Sequence, residues 1–190
     1  MTATVSTTSP SSNAALTGTY TLDTGHSRLG FVARHAMVTK VRGSFADFAG
    51  TAVLDAEDPS RSHAEVTIQV ASVDTGNAQR DEHLRTNDFF DAATYPEIRF
   101  VSTKAEALGE DNYRLTGDLT IKDITKSVAV DFEFAGTAVD PFGNQRVGFE
   151  GKTVINRKDW GVNFNAALEA GGVLVSEKIT LEFDISAIRG

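Results

Sequence analysis

The side chains best suited to acid–base chemistry lie between Arg80 and Arg85. Asp81 and His83 place a carboxyl group near an imidazole, and a histidine beside a carboxylate can act as a general base near neutral pH. The two residues are only two positions apart on a predicted helix, so their side chains point to different faces. We therefore expect Arg80, Asp81, His83 and Arg85 to fix the helix in place by hydrogen bonds, with no catalytic residues and no enzymatic activity.

Three histidines form the second candidate set, because three imidazoles can bind zinc and leave one position open. His26, His35 and His83 match no metal-binding spacing such as H-E-x-x-H, so we predict that the protein has no metal site and no cofactor. The sequence contains no cysteine, which excludes disulfides, thiolate catalysis and cysteine-ligated metal centres. It also lacks the G-x-S-x-G nucleophile elbow and the G-x-x-x-x-G-K-[ST] phosphate loop.

The acidic character of the chain limits its partners. A formal net charge of -8 disfavours binding to nucleic acid or to anionic lipid surfaces. No apolar run approaches the roughly 18 residues that span a bilayer, so we expect no stable membrane insertion. Residues 1–17 are rich in Ser, Thr and Ala and lack the features of a secretory signal. We expect a flexible tail over 1–17, a single domain over 18–190 and a cytoplasmic location.

The elements that must position these side chains are mainly β-strands. Apolar and polar residues alternate with a period of two over 128–134 and again over 178–185. Weaker examples of the pattern bring the count to about eight or nine strands; they lie at 28–35, 44–54, 65–70, 97–103, 113–121 and 146–155. Turn residues at 109–112 and 140–144 indicate antiparallel hairpins.

One segment departs from this pattern. Residues 77–87, NAQRDEHLRTN, are rich in helix formers, and Asn77 is placed to cap the N-terminus of a short helix. Asp81 lies four residues before Arg85, a spacing that supports a helix. Amphipathic strands joined by short turns fit either a sandwich or a barrel, since both bury one face of every strand. The pattern alone does not decide between them.

Several segments, taken in order, resemble the YceI-like family over roughly residues 18–188. They are YTLDTGHS at 20–27, Phe31 with His35, GSFADFAG at 43–50, RDEHL at 80–84, DFF at 88–90, YPEIRF at 95–100, GDLTI at 117–121, Thr125 with Lys126, and NRKDWG at 156–161. Family members usually have Gly where this chain has Asp123 and often Phe where it has Trp160. We expect local changes at these positions within the same fold.

The resemblance implies an all-β fold: a single closed antiparallel eight-stranded barrel, lipocalin-like in architecture, with a short helix inserted near residues 77–87. It also implies an apolar channel, which in some members holds a polyisoprenoid or an isoprenoid quinone, and often a homodimer. The Gly-x-Trp signature of true lipocalins is missing near the first strand, since the single Trp is residue 160. The likeness to lipocalins is therefore one of architecture.

Alternation and resemblance together predict a set of ligand-binding side chains. They are Phe31, His35, Phe45, Leu84, Phe89, Phe100, Leu119, Phe132, Phe134, Phe149, Trp160 and Phe164. A filled core is the better explanation for any one of these phenylalanines taken alone, because aromatic side chains dominate cores in all folds. Small residues on the same strands, among them Gly30, Ala33, Gly117 and Gly151, favour a tunnel between the larger ones.

The leading hypothesis is a binding protein that stores, transports or protects a long hydrophobic lipid of the polyisoprenoid or isoprenoid quinone type. Two alternatives stay open. One is an enzyme that modifies such a lipid at the barrel mouth through the residues around His83. The other is a fully packed barrel that acts as a stress-related interaction protein.

Overall fold

The computed structural model describes residues 15–190, and most of the predicted tail, residues 1–14, lies outside this part. The strands are β1 (Gly18–Leu22), β2 (Arg28–His35), β3 (Thr39–Phe45), β4 (Phe48–Leu54), β5 (His63–Gln69), β6 (Val73–Asp74), β7 (Glu97–Gly109), β8 (Asn112–Ile121), β9 (Ile124–Val139), β10 (Gln145–Asn156) and β11 (Lys178–Arg189). The helix α1 spans Ala78–Arg85. Short 3₁₀ helices occur at Pro59–Arg61, Val70–Ser72 and Arg157–Trp160.

Hydrogen bonds between the first and last strands close the sheet into a barrel. The ring runs β1–β4–β5–β7–β8–β9–β10–β11 and returns to β1, and all its pairs are antiparallel. β1 and β2 lie one after the other along β11, opposite residues 187–189 and 180–184 respectively. β4 pairs with β1 and β3 pairs with β2, so β3 and β4 also lie one after the other. The predicted closed eight-stranded barrel is confirmed, and the sandwich is excluded.

Two predicted hairpin turns are present, and a third explains an unusual residue. Residues 109–112 join β7 to β8, and residues 140–144 join β9 to β10. Between β8 and β9, Lys122 and Asp123 have φ of 51° and 62°. A two-residue type I′ turn requires positive φ at both positions, and Asp tolerates this conformation better than most residues. The hairpin therefore forms with Asp123 where the family usually has Gly.

The predicted helix is confirmed, including its cap: the Asn77 side chain accepts a hydrogen bond from the backbone N–H of Arg80. Its polar side chains hold it against the barrel. Asp81, which is buried, accepts bonds from the backbone and hydroxyl of Thr75 at 2.8 and 2.6 Å. Arg85 donates to the backbone carbonyls of Ala71, just before β6, and of Val73 in β6. The structural role expected for this cluster is thus observed for Arg80, Asp81 and Arg85, although Asp81 bonds to Thr75 and not to Arg85. His83 instead bonds to Asp88, in the segment that follows the helix.

The two ends of the barrel differ in structure. We call one end the termini end; it contains the start of β1, the end of β11 and the 140–144 turn. We call the other the helix end; it contains α1, the 122–123 turn and the 157–177 loop. A core cluster near the helix end includes Phe89, Trp160 and Val162. A smaller cluster near the termini end is built on Tyr20 and Val147. Between these clusters the interior is not filled.

Candidate functional site: an apolar cavity in the barrel

The barrel encloses a cavity of about 390 Å³. This volume lies in the range of known small-molecule sites. Its lining comes almost entirely from inward-facing apolar residues of the strands and from three side chains of the segment that includes α1 and follows it: Leu84, Phe89 and Phe90. A fully packed interior, the observation that would favour the packed-barrel alternative, is not what the structure has.

Most of the predicted ligand-binding residues line this cavity. They are Phe31, Phe45, Leu84, Phe89, Phe100, Leu119, Phe132, Phe134 and Phe149. The rings of Phe132, Phe149 and Phe183 form a contact series with centroid separations of 6.4 and 5.9 Å. The cavity wall is thus partly aromatic. Whether each of these residues touches a ligand stays a prediction.

Three of the predicted residues do not line the cavity. His35 shares the inward parity of Leu29, Phe31 and Ala33 but is the last residue of β2, where it is exposed. Trp160 is 3% exposed, and its Nε1 donates to the Leu119 carbonyl at 2.9 Å.

Phe164, the third, packs against Phe89 with ring centroids 5.0 Å apart. Trp160 and Phe164 therefore lie behind the wall, where they support two residues that do line the cavity, Leu119 and Phe89.

Glycines opposite phenylalanines keep the cavity open. Phe31 pairs with Gly43 and Phe132 with Gly151 on neighbouring strands, and residues that pair directly point to the same face of the sheet. A Cβ at either glycine would collide with the opposite ring. The missing side chains leave space for the rings to lie against the wall instead of filling the barrel. Gly117 serves the Phe100 ring in the same way.

Polar groups reach the cavity at the termini end. Asp55, Ser62 and Asp111 line it there, whereas Arg114 borders it with a side chain that turns to the outer face of the sheet, because its neighbours Tyr113 and Leu115 face inwards. The Arg114 guanidinium forms a paired hydrogen bond with Asp131, at 2.7 and 3.0 Å, which raises the pKa of Arg114 and lowers the pKa of Asp131. This end is the wetter one.

At the helix end a single charged side chain, Arg157, reaches the cavity. It lies in the 3₁₀ helix that follows β10 and is one of the two buried charged residues in the described part of the chain, with Asp81. Burial lowers its pKa. A guanidinium nevertheless stays protonated over the physiological range, so this side chain brings a positive charge to an apolar wall.

His83, the candidate general base, does not line the cavity. Its Nε2 lies 2.7 Å from Oδ2 of Asp88, and both side chains are about half exposed. The imidazole packs edge-on against Phe89, which lines the cavity, and against Phe164, which does not. Among residues 15–190 no group of three or more His, Asp or Glu side chains has the geometry to hold a metal ion.

Several lining residues were missing from the predicted set. Phe183 and Ile185 of β11 and Val130 of β9 carry the same alternation as the predicted residues, so the period-two pattern could have included them. Arg157 carries no such signal, because it lies outside the alternating strands.

Within residues 15–190 we find no helix with the length and hydrophobicity needed to cross a bilayer.

The fold and the cavity define a class: small, closed, lipocalin-like β-barrels with an apolar interior. The family model described as YceI-like domain matches residues 20–187, and the chain belongs to that family. A UPF0312 protein of Photorhabdus laumondii is 40% identical over 158 residues, which cover 82% of this chain and 81% of the relative.

Solved structures agree with this assignment. Burkholderia cenocepacia BcnA is 27% identical, with a TM-score of 0.77, over 87% of this chain and 98% of that one. A polyisoprenoid-binding domain from Saccharophagus degradans is 16% identical, with a TM-score of 0.67, over 90% of this chain and 98% of that one. At such low identity the second likeness shows the fold alone. The predicted family is thus confirmed.

Proposed function

We propose that the protein binds a long hydrophobic lipid, of the polyisoprenoid or isoprenoid quinone type, inside the barrel and so stores, transports or protects it. The observation that carries the proposal is the continuous apolar wall around about 390 Å³ of space. Each Å² of apolar surface removed from water contributes about 25 cal/mol, so a chain threaded through such a wall gains affinity without a charged anchor. The polyisoprenoid-binding domain of Saccharophagus degradans has the same architecture.

The experiment is extraction of the purified protein with organic solvent, followed by mass spectrometry of the extract. We expect a co-purifying lipid with a long hydrocarbon chain, or saturable binding of a prenyl alcohol added to the protein. If every preparation is empty and added prenyl lipids do not bind, the proposal is wrong.

A matched pair of variants locates the binding. Phe132 lines the cavity, whereas Phe142 is 89% exposed on the turn between β9 and β10. Phe132→Asp places a charge in the apolar wall and should abolish lipid retention, while Phe142→Asp makes the same chemical change outside and should leave retention unchanged. Ala33→Phe, which only adds volume to the wall, should also reduce retention. Because Ala33→Phe buries no charge, reduced retention in this variant shows that lost space, and not misfolding caused by a buried charge, prevents binding.

We propose that binding involves no chemical change of the lipid. The position of His83 supports this, since its imidazole does not line the cavity and packs against Phe89, which does. His83→Ala should leave the mass of a bound lipid unchanged after prolonged incubation, as in the unmodified protein. If the wild type converts the lipid and His83→Ala abolishes this conversion, the protein is instead an enzyme.

The homodimer and the cytoplasmic location rest on the family resemblance and on the sequence, and both stay predictions. Light scattering by the purified protein tests the dimer: a mass of about twice the 20.4 kDa chain is expected, and a single-chain mass at all concentrations contradicts it.

A further inference from the structure

The buried guanidinium of Arg157 is only partly used by the fold. The residue is 6% exposed. Its Nε donates to the carbonyl of Ser176 at 2.9 Å, its Nη1 to that of Val162 at 2.6 Å and its Nη2 to that of Val175 at 3.3 Å. These bonds tie the 3₁₀ helix after β10 to the end of the loop that precedes β11. They account for the fixed orientation of the side chain.

These three bonds do not use all the N–H donors of the Arg157 guanidinium. A guanidinium carries five N–H groups in a rigid plane. Three are used, so two N–H groups, one on each Nη, have no acceptor among residues 15–190. Buried donors are normally satisfied, because removing them from water without a new partner is unfavourable. The side chain is also part of the cavity lining, which is where an acceptor could approach it.

We propose that Arg157 hydrogen-bonds the polar end group of the bound lipid, and that this group is an uncharged oxygen acceptor such as a hydroxyl, a carbonyl or an amide. This inference rests on the proposed function and adds the orientation of the ligand: its end group lies at the helix end and its chain extends towards the termini end.

The surroundings of Arg157 favour an uncharged acceptor over an anion. Phe89, Val162 and Val175 line the same part of the cavity, so the site is dry and a hydrogen bond to a charged donor is strong there. A carboxylate or phosphate would lose its hydration on passing along the apolar wall, whereas a hydroxyl or carbonyl loses much less. The wall therefore selects a neutral end group, and the guanidinium holds it.

Two ligands with one carbon skeleton test the proposal: phytane, a branched hydrocarbon, and phytanol, the same skeleton with a terminal hydroxyl. Their affinities for the wild type and for Arg157→Met are measured by displacement of a fluorescent fatty probe. We expect Arg157→Met to weaken the binding of phytanol by roughly tenfold or more, which corresponds to the loss of one hydrogen bond to a charged group. Phytane, which has no oxygen, should change by less than about twofold.

Each outcome has a distinct meaning. If neither ligand binds the wild type, the proposed function itself fails. If both bind and Arg157→Met weakens them equally, Arg157 only supports the loop and the inference is overturned, while the proposed function stands. Asp111→Ala removes a polar side chain at the termini end of the cavity. If that variant, and not Arg157→Met, weakens phytanol selectively, the ligand lies the other way round and the inference is again overturned.

A measurement on the unmodified protein covers the case in which Arg157→Met does not fold. With arginine labelled with ¹⁵N, the guanidinium resonances of Arg157 are followed by NMR during titration. Phytanol should shift them and phytane should not. If the two ligands have the same effect, the end group does not contact Arg157 and the inference fails.

Discussion

At the scale of single residues, Arg146 links two carboxylates at the termini end of the barrel. It donates to Asp140 through Nε at 2.9 Å and to Asp23 through Nη1. Asp140 also accepts from the side chain and backbone of Asn144 and from the backbone N–H of Phe142. These bonds, that of the Asn144 side chain first, hold the pKa of Asp140 far below its usual range. The hairpin between β9 and β10 thus depends on an ionised carboxylate.

This network predicts how stability changes with pH. Because the pKa of Asp140 in the folded state is lower than the unfolded value of about 3.9, its stabilising effect is complete above that pH and is lost on acidification towards the folded pKa. Asp140→Asn should therefore lower the melting temperature at neutral pH. The gap between the wild type and the variant should shrink below about pH 4. Thermal unfolding monitored by circular dichroism checks this, and a gap that stays constant down to pH 2 contradicts it.

The residue scale also shows what the sequence could predict of the site. Phenylalanines in strands with alternating apolar and polar residues could be placed on the inner wall, because a strand turns every second side chain to the same face. The pattern could not show where the cavity ends, which is why His35, correct in parity, lies outside it. Arg157 was beyond prediction, because its role depends on carbonyls of a loop about twenty residues away in the chain.

At the scale of elements, the paired glycines set how far the aromatic rings reach into the cavity. Gly43→Ala should push the Phe31 ring towards the interior, since the added Cβ would meet that ring and no other group lies as near. We expect reduced lipid affinity together with a loss of stability of roughly 1–3 kcal/mol, typical of overpacking. Lipid titration and urea unfolding measure the two effects.

Gly148→Ala is the matched control for this change. Gly148 also lies in a strand, β10, but a Cβ there would have its nearest neighbour, Ala135, at an ordinary 3.5 Å. This variant should bind lipid as the wild type does. Equal loss of affinity in both variants would show that the paired glycines do not control the cavity.

The strands themselves were largely predictable, and their interruptions were not. The segments at 128–134 and 178–185 lie within β9 and β11 because their alternation is strict. The segment predicted as one strand over 44–54 is divided between β3 and β4, since the chain leaves the ladder at Ala46 and Asp47 to bond the residues before β6. β1 was not counted, because its five residues are too few to show a period.

At the scale of the whole molecule, closure of the barrel gives the cavity its shape. The resemblance to the family predicted closure, whereas alternation fitted a sandwich equally well. Closure requires β11 to pair with β1 at one end and with β2 at the other, contacts between residues more than 140 positions apart. Such long-range pairing leaves no mark in a local pattern. Eight strand positions then leave an interior that side chains fill or that holds one small ligand.

The central claim is that this interior holds one hydrophobic chain. The most direct measurement is a crystal structure of the protein after incubation with phytanol. We expect continuous elongated density inside the barrel, passing Phe132 and Phe100, with the hydroxyl oxygen of phytanol within hydrogen-bonding distance of Arg157. An empty or collapsed interior, with phytanol bound only on the outer surface, would contradict it.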